Sequence, residues 1–456
     1  MRQSSARRAA GGARAPKSLR ASAVPTGFLD AWGQLVSGWD LPPLPTRRGR
    51  KPRVPVTDLL AGLTFHVLSG AGTLAEHFGQ LFDQPLADSS WADRRGRLPW
   101  EVFADLMRRV LRPRATPGEH REAFWRGWRL VALDGTQFSL INTPQVAATF
   151  NKARTRRGRA AFAKITSVVL LELGLHNPLA AAIGRQGESE WALGQGLLAQ
   201  LPGRALLLAD RLYGVIAFAR VAQAACQRVG SHFLLRASRS VKPRRIKAFR
   251  DGTRLVGLAV RQPNNPNRVI EWIEVREIRV RVGRPGHRAS ELRLWTSLVD
   301  PTVAPALELA RVYASRWEHE LYFRDLKRQL RKTDLLQSHT VETGAQEIAA
   351  VVIASALLAT ERARAAAGQV PVLRVSFPKL LDWVRASWLT LTQFDDVLTP
   401  RQMQTFLRRV YTQMGQCVTA DRRPRSYPRA VRQPIRRWPR LMHNHSITGP
   451  WHFTIL

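Results

Sequence analysis

Two short apolar runs, each closed by an aspartate, constrain this chain more than any other feature: "WRLVALD" at 128–134 and "RALLLAD" at 204–210. A run of this length between turn signals reads as a strand buried on both faces, which needs helices above and below it. Such a strand offers polar chemistry only where it ends, and each of these ends in a carboxylate, Asp134 and Asp210. Between them lie "ITSVVLLELG" (165–174), a "LHNP" turn and "LAAAIG" (179–184), which read as a strand, a hairpin turn and a strand. "ESEWALGQGLLAQL" (188–201) reads as a helix stopped by Pro202 and Gly203. After Asp210 come a helical "GVIAFARVAQAACQRV" (214–229), with Gly230 as its C-cap, and a strand, "SHFLLRAS" (231–238). Three strands, helix, strand, helix, strand predicts a mixed sheet with helices on its faces, in which the first and fourth strands are neighbours.

That order is the order of the RNase H-like fold, so the expected class is α/β: an RNase H-like catalytic core with a β-rich insertion, flanked by N-terminal and C-terminal helical regions. The expected boundaries are a basic, disordered arm over 1–26, a helical DNA-binding domain over 27–125 and the first part of the core over 126–239. Residues 240–300 alternate charged and β-branched residues and form the expected insertion, 301–360 the second part of the core, and 361–456 a helical region with a basic tail. In the N-terminal region "VTDLLAGLTFHVL", with Thr57 as expected N-cap, "SGAG" and "TLAEHF", with Thr73 and Glu76 at capping-box spacing, suit a helix-turn-helix unit.

Charge points the same way. Lys and Arg number 71 against 34 Asp and Glu, a net charge of +37. The excess is clustered, in "RRGRKPR" (47–53), "RTRRGR" (154–159) and a run of arginines over 422–440. A polyanion such as double-stranded DNA is the partner that neutralises such a surface; an arginine-rich solvated surface is the alternative. There is no long uninterrupted apolar run and no apolar core in the basic N-terminus, so neither a membrane span nor a secretory signal is expected. Two cysteines, Cys226 and Cys417, make no disulfide framework and no zinc cluster, and a cytoplasmic, nucleoid-associated location is expected.

The segment "YASRWEHELYFRDLK" (313–327) holds three acids among cations and aromatic rings. On one continuous helix, at about 100° per residue, Tyr313, Arg316, Glu320, Arg324 and Lys327 fall on one arc, and Glu318 and Asp325 on another. Alone, the stripe reads as a salt-bridge ladder, with Arg316 and Glu320 as i, i+4 neighbours. Beside two strand-terminal aspartates it reads differently. Three carboxylates meeting at one point suit a hard divalent cation such as Mg²⁺, and a pair of such ions suits phosphodiester displacement. The nearby Arg and Lys would then grip phosphates.

The spacing Tyr313-x2-Arg316-x3-Glu320-x6-Lys327 resembles the Y-R-E-K signature of bacterial insertion-sequence DDE transposases, the cut-and-paste group with a β insertion before the catalytic Glu. "LDGTQF" around Asp134, "LADRLYG" around Asp210 and "LWTSLVD" ahead of the signature are similar to that group's other motifs, and the resemblance covers roughly 125–345. It implies that Asp134, Asp210 and Glu320 are catalytic and hold two Mg²⁺ ions, with Mn²⁺ able to substitute. It implies DNA contacts for Tyr313, Arg316 and Lys327, with Arg324 beside them, and a homodimer acting on paired transposon ends. Some members of the group cut through a DNA hairpin and stack a flipped base on an aromatic ring, for which Trp295 is the candidate; a core role is the alternative. Arg211, next to Asp210, reads equally as a phosphate contact or an ion pair, and Arg156 and Arg157 lie in a basic loop expected along DNA. Other motifs fail: "HNH" at 443–445 lacks a ββα context, Ser139 lacks a histidine partner, and no glycine cluster continues into Lys-Ser/Thr. Two further readings remain open at this level, an RNase H-like nuclease without strand transfer and an inactive DNA-binding relic of a transposase.

Overall fold

The first and fourth of these strands do meet. In the computed structural model, which describes residues 28–44, 54–82, 86–150, 154–155, 158–283, 289–420 and 452–455, β2 (Trp128–Ser139) runs parallel to β7 (Ala205–Ala209), with Leu133 opposite Ala209. On its other side β2 pairs antiparallel with β5 (Lys164–Glu172), which turns back into β6 (Asn177–Ile183). Beyond β7 lies β8 (His232–Arg236), again parallel. Alternate residues of β2 enter separate cores. Leu130 and Ala132 join one, while Val131 and Leu133 join the other, with Phe218 and Ala222 of helix α8 (Ile216–Arg228). Burial on both faces is why these strands read as unbroken apolar runs.

The sheet does not stop at β8. The strands β9 (Arg244–Ala248), β10 (Arg254–Gln262), β11 (Asn265–Gly283) and β12 (Ser290–Thr296) extend it, and its order is β6-β5-β2-β7-β8-β12-β11-β10-β9. The junction is antiparallel, β12 against β8. A short β1 (Phe124–Trp125) adds to β2, β13 (His452–Ile455) adds to β11, and β3 (Arg154–Thr155) pairs with β4 (Gly158–Arg159) apart from the main sheet. The architecture is therefore mixed α/β around one large mixed sheet.

The helices of the N-terminal region do not stand apart from this core. They comprise α1 (Phe28–Val36), α2 (Val56–Ser69), α3 (Leu74–Phe82), α4 (Asp88–Gly96) and α5 (Trp100–Val110). Their apolar faces share one core with α11 (Val341–Ala366) and α12 (Phe377–Gln393), and α13 (Pro400–Gln416) packs beside them. α11 is long and apolar enough to cross a membrane by length and composition, but 89% of its most apolar window is buried inside the protein, which makes it the central core helix. Two local expectations resolve differently. Thr57 is not the N-cap of α2, because the helix already starts at Val56, with Pro55, two residues before Thr57, at the N-cap. Thr73 does cap: its hydroxyl accepts from the Glu76 backbone N–H at 3.2 Å. The arm 1–26, the "RRGRKPR" cluster, Arg156 and Arg157, the arginines of 422–440 and the "HNH" tripeptide lie outside the described residues.

The segment 313–327 is not one helix. It is the end of α9 (Ala306–Ala314), a turn at Ser315–Arg316, α10 (Trp317–Arg324) and a π-helical turn over Asp325–Leu330. The remaining elements are α6 (Pro144–Thr149) and α7 (Glu190–Leu197), the latter packed on β5 and β6.

Candidate active site

β2 continues to Ser139, but its pairing with β7 stops at Leu133 opposite Ala209, so Asp134 and Asp210 follow side by side where the two strands part, and α10 delivers a third carboxylate. Asp134 is buried, and its Oδ1 accepts from the Gly135 backbone N–H at 2.9 Å. Asp210, just past β7, caps its own turn by accepting from the Leu212 backbone N–H at 2.7 Å. Arg316 links the sheet to α10: its Nη1 stands 3.1 Å from Asp134 Oδ2 and 3.6 Å from Glu320 Oε1. The carboxylates differ in exposure, with 12% of the Asp134 side chain open to solvent against 45% for Glu320. Burial pushes the Asp134 carboxyl up to about 6, the Arg316 charge opposes that, and the Asp210 charge adds to it. Among these carboxylates the Arg316 guanidinium is held above its ordinary value despite burial.

The other acids of the segment face elsewhere, as the spacing predicts despite the break at Ser315–Arg316. Glu318 accepts from the Gly174 backbone N–H at 2.8 Å, in the β5–β6 turn. Asp325 is buried and pairs with Arg324 at 3.3 Å, so Arg324 serves Asp325 and not Glu320. Between them, the fully buried His319 contacts the Val169 carbonyl of β5 through Nε2 at 3.0 Å. These contacts fix the roll of α10 on the sheet and so aim Glu320 back toward Asp134.

Lys327 lies further along β2, where its ammonium donates to the Gln137 carbonyl at 2.6 Å and sits 5.0 Å from the Phe138 ring centroid. Tyr313 is buried, and its hydroxyl donates to the Ala209 carbonyl at 3.4 Å, one residue before Asp210. Its geometry is that of a bolt between α9 and β7. Arg211 is exposed and makes no ion pair with a described carboxylate. For Trp295 the geometry is that of the core role: it sits in β12 between β8 and β11 with no solvent exposure, and its indole N–H donates to Glu277 at 3.3 Å. Trp317, directly after Arg316, is 61% exposed.

One acid escaped the sequence reading. Glu190, in the first turn of α7, accepts from the buried Tyr213 hydroxyl at 3.3 Å, and its carboxyl is pushed up by burial and then by the charges of Asp134 and Asp210. Its approach explains the glycine after Asp134: a Cβ at Gly135 would fall 2.4 Å from Glu190 Cδ. Gly214 has a comparable duty in the Asp210 turn, where a Cβ would fall 1.8 Å from the Arg236 carbonyl oxygen. The signal for Glu190 was only an acid opening a helix after the β5–β6 hairpin.

Oxygen donors from Asp134, Asp210, Glu320 and Glu190 suit a hard divalent cation by chemistry. Among the described residues no three His, Cys, Asp or Glu side chains stand in ligand geometry; the carboxylates are gathered, with Arg316 between Asp134 and Glu320.

Comparison with known proteins agrees with the motifs. The chain is 27% identical over 331 residues to the transposase InsG for insertion sequence element IS4 of Escherichia coli (strain K12), an alignment covering 71% of each chain. It also overlays on a piggyBac transposase, solved by cryo-EM as a synaptic complex with hairpin DNA, at 9% identity and a TM-score of 0.41, over 84% of this chain and 81% of that one. At that score the overlay does not place the fold. Residues 125–357, which run from β1 to the middle of α11 and contain all the residues of the site, match the model of the transposase DDE domain. The chain is a member of the DDE transposase family.

Proposed function

We propose that this transposase cuts DNA at the inverted-repeat ends of an insertion sequence and joins the freed 3′ ends to target DNA, with Asp134, Asp210 and Glu320 as its catalytic carboxylates. The observation that carries the reading is the placement of Arg316 Nη1 within ion-pair distance of both Asp134 and Glu320, which ties a core strand to a helix far along the chain. The strand order β6-β5-β2-β7-β8, with β5 alone antiparallel between its neighbours, supports an RNase H-like core. Residues 240–300 are then the insertion that lengthens its sheet.

Asp134, Asp210 and Glu320 would hold two Mg²⁺ ions, or Mn²⁺ in their place, and Glu190 stands close enough to share in setting the site's charge. Bound there, divalent ions supply Lewis acidity toward the phosphate and a more acidic water or 3′-hydroxyl. The chain's own part is positioning. His319 and Glu318 fix α10, Tyr313 fixes the end of β7, and Arg316 and Lys327 present cations to the phosphates next to the scissile one. Trp317 takes over from Trp295 as the ring available to an unstacked base. Double-stranded DNA is the partner, a homodimer is the acting unit on paired ends, and the nucleoid of the cytoplasm is the place of action.

The test is a set of single variants, Asp134→Ala, Asp210→Ala and Glu320→Ala, assayed for end binding and for Mg²⁺-dependent cleavage of end DNA. Cleavage is expected to fall by about a thousandfold or more while binding persists, as removing a group from a concerted site does. A variant that cuts at near wild-type rate removes that residue from the triad. Joining of pre-cut ends to a plasmid separates a transposase from a nuclease that stops at cleavage.

A further inference from the structure

Directly beyond Asp210 the surface opens into a cavity of about 540 Å³ that no part of the proposed chemistry uses. Its walls carry six arginines, Arg211, Arg236, Arg239, Arg254, Arg279 and Arg293. They come from the Asp210 turn, from β8 and the loop after it, and from β10, β11 and β12. Two of them are partly neutralised, because Arg279 and Arg293 share buried Glu277 at 2.9 and 3.7 Å. The other four form no ion pair with a described carboxylate, and Glu291 is the acid in the lining. Like charges gathered so closely repel one another, and an anion that enters is rewarded for neutralising them. Guanidinium groups fork to two oxygens of one phosphate, so consecutive phosphodiesters of a nucleic-acid strand match this wall better than a single small anion does.

We infer that this arginine pocket is the binding site for the backbone of target DNA, holding phosphates of the strand that the freed transposon end attacks. The inference rests on the assignment of Asp210 to the catalytic centre. Two placements favour target over end DNA. First, the pocket and Lys327 lie on opposite sides of the carboxylates: Lys327 sits over β2 where it borders β5, while the pocket spans β8 to β10. Joining requires two DNAs at the site together. The 3′-hydroxyl of the end forms a new P–O bond, the target's bond from phosphorus to its own 3′-oxygen breaks, and the proton lost by the first oxygen is balanced by one gained by the second. Second, four of the six arginines are fixed on strands and the lining holds no amide side chain for reading adenine, a set suited to gripping successive phosphates.

The test uses the full chain carrying Arg239→Glu with Arg254→Glu, and a charge-keeping partner carrying Arg239→Lys with Arg254→Lys; thermal melting confirms that both fold. Three readouts are compared with wild type: cleavage of end DNA, joining of pre-cut ends to a plasmid, and binding of a random-sequence duplex as salt is varied. For the glutamate pair, joining is expected to fall by about tenfold or more with end cleavage within about twofold, and the salt slope on the random duplex to become shallower by about 2, near 0.9 per phosphate lost. The lysine pair is expected to restore most of the joining. Unchanged joining or an unchanged salt slope overturns the inference, and so does a parallel loss of end cleavage, which would give the pocket to the end DNA. If wild type itself neither cuts nor joins, the catalytic reading fails on its own, and the random-duplex slope still decides the pocket.

Discussion

The inner strands of the sheet, β6 to β8, and the outer strands, β12 to β9, share one hydrogen-bonded surface but follow opposite sequence rules. β7 is "ALLLA", buried at every position, and Leu207 has no exposure at all. β9 is "RRIKA", exposed at every position, and the first half of β11 is nearly as open, with Ile270 49% and Trp272 47% exposed. Strands covered on both faces have nowhere to carry charge except where that cover and pairing stop, and there Asp134 and Asp210 sit side by side. A strand with a free face can carry cations along its length, and the outer half does so, supplying three of the six arginines of the pocket. On the function proposed above, the inner half would position the cutting carboxylates and the outer half would hold DNA.

The strongest challenge to that division is the same substitution in both halves. Leu207→Asp places an unpaired charge in a dry interior and is expected to prevent folding, because that cost matches the several kcal/mol by which such domains are stable. Ile270→Asp is expected to change stability by no more than about 0.5 kcal/mol, as exposed substitutions do. Urea unfolding followed by circular dichroism measures both. Similar midpoints for the two variants would mean that the halves are not built differently.

A smaller and more informative contrast lies at the seam. Trp295, in β12, is part of the same core as Phe218 and Ala222 of α8, whereas Trp317 stands exposed beside Arg316. Trp295→Phe is expected to lower stability by about 1–2 kcal/mol, from lost packing and a lost hydrogen bond to Glu277, while leaving the cleavage rate per folded molecule unchanged. Trp317→Ala is expected to leave the melting temperature in place and weaken processing of end DNA by about tenfold, the scale of one lost base stack. A cleavage defect in folded Trp295→Phe would return the platform to β12.

These contrasts also show what the sequence could disclose. Asp134 and Asp210 were legible as positions because doubly buried strands write themselves as apolar runs that stop at the acid, although β2 itself continues to Ser139. Glu320 was legible from helical spacing even though the helix breaks at Ser315–Arg316, because α10 restarts with nearly the same roll and Glu318 and His319 hold it there. Glu190 was not legible: only the close approach allowed by Gly135 brings α7 into the site, and no periodicity reports that. For Trp295 the sequence left two roles open, and only the strand order, which covers it with β8, β11 and α8, favours the core one. The pocket was invisible for a related reason, since its arginines are spread from 211 to 293 and meet only through the strand order.

The slightest expected effect tests the seam itself. His232 of β8 reaches Ser297, just past β12, with Nδ1 3.1 Å from the hydroxyl, and its ring stands edge-on to Trp128. Burial holds its pKa below the ordinary imidazole value. A group whose folded pKa is depressed in this way gives stability that is whole above the unfolded value of about 6.5 and is lost as pH falls through the folded one. The ring is only partly covered, so water screens the cost and the slope is shallow. Urea midpoints at pH 7.5 and 5.5 should therefore fall slightly further apart in wild type than in His232→Gln, which keeps a polar contact to Ser297 without a titrating ring. Equal pH dependence in the two would show that inner and outer strands are joined by backbone pairing alone, with the imidazole a bystander at their junction.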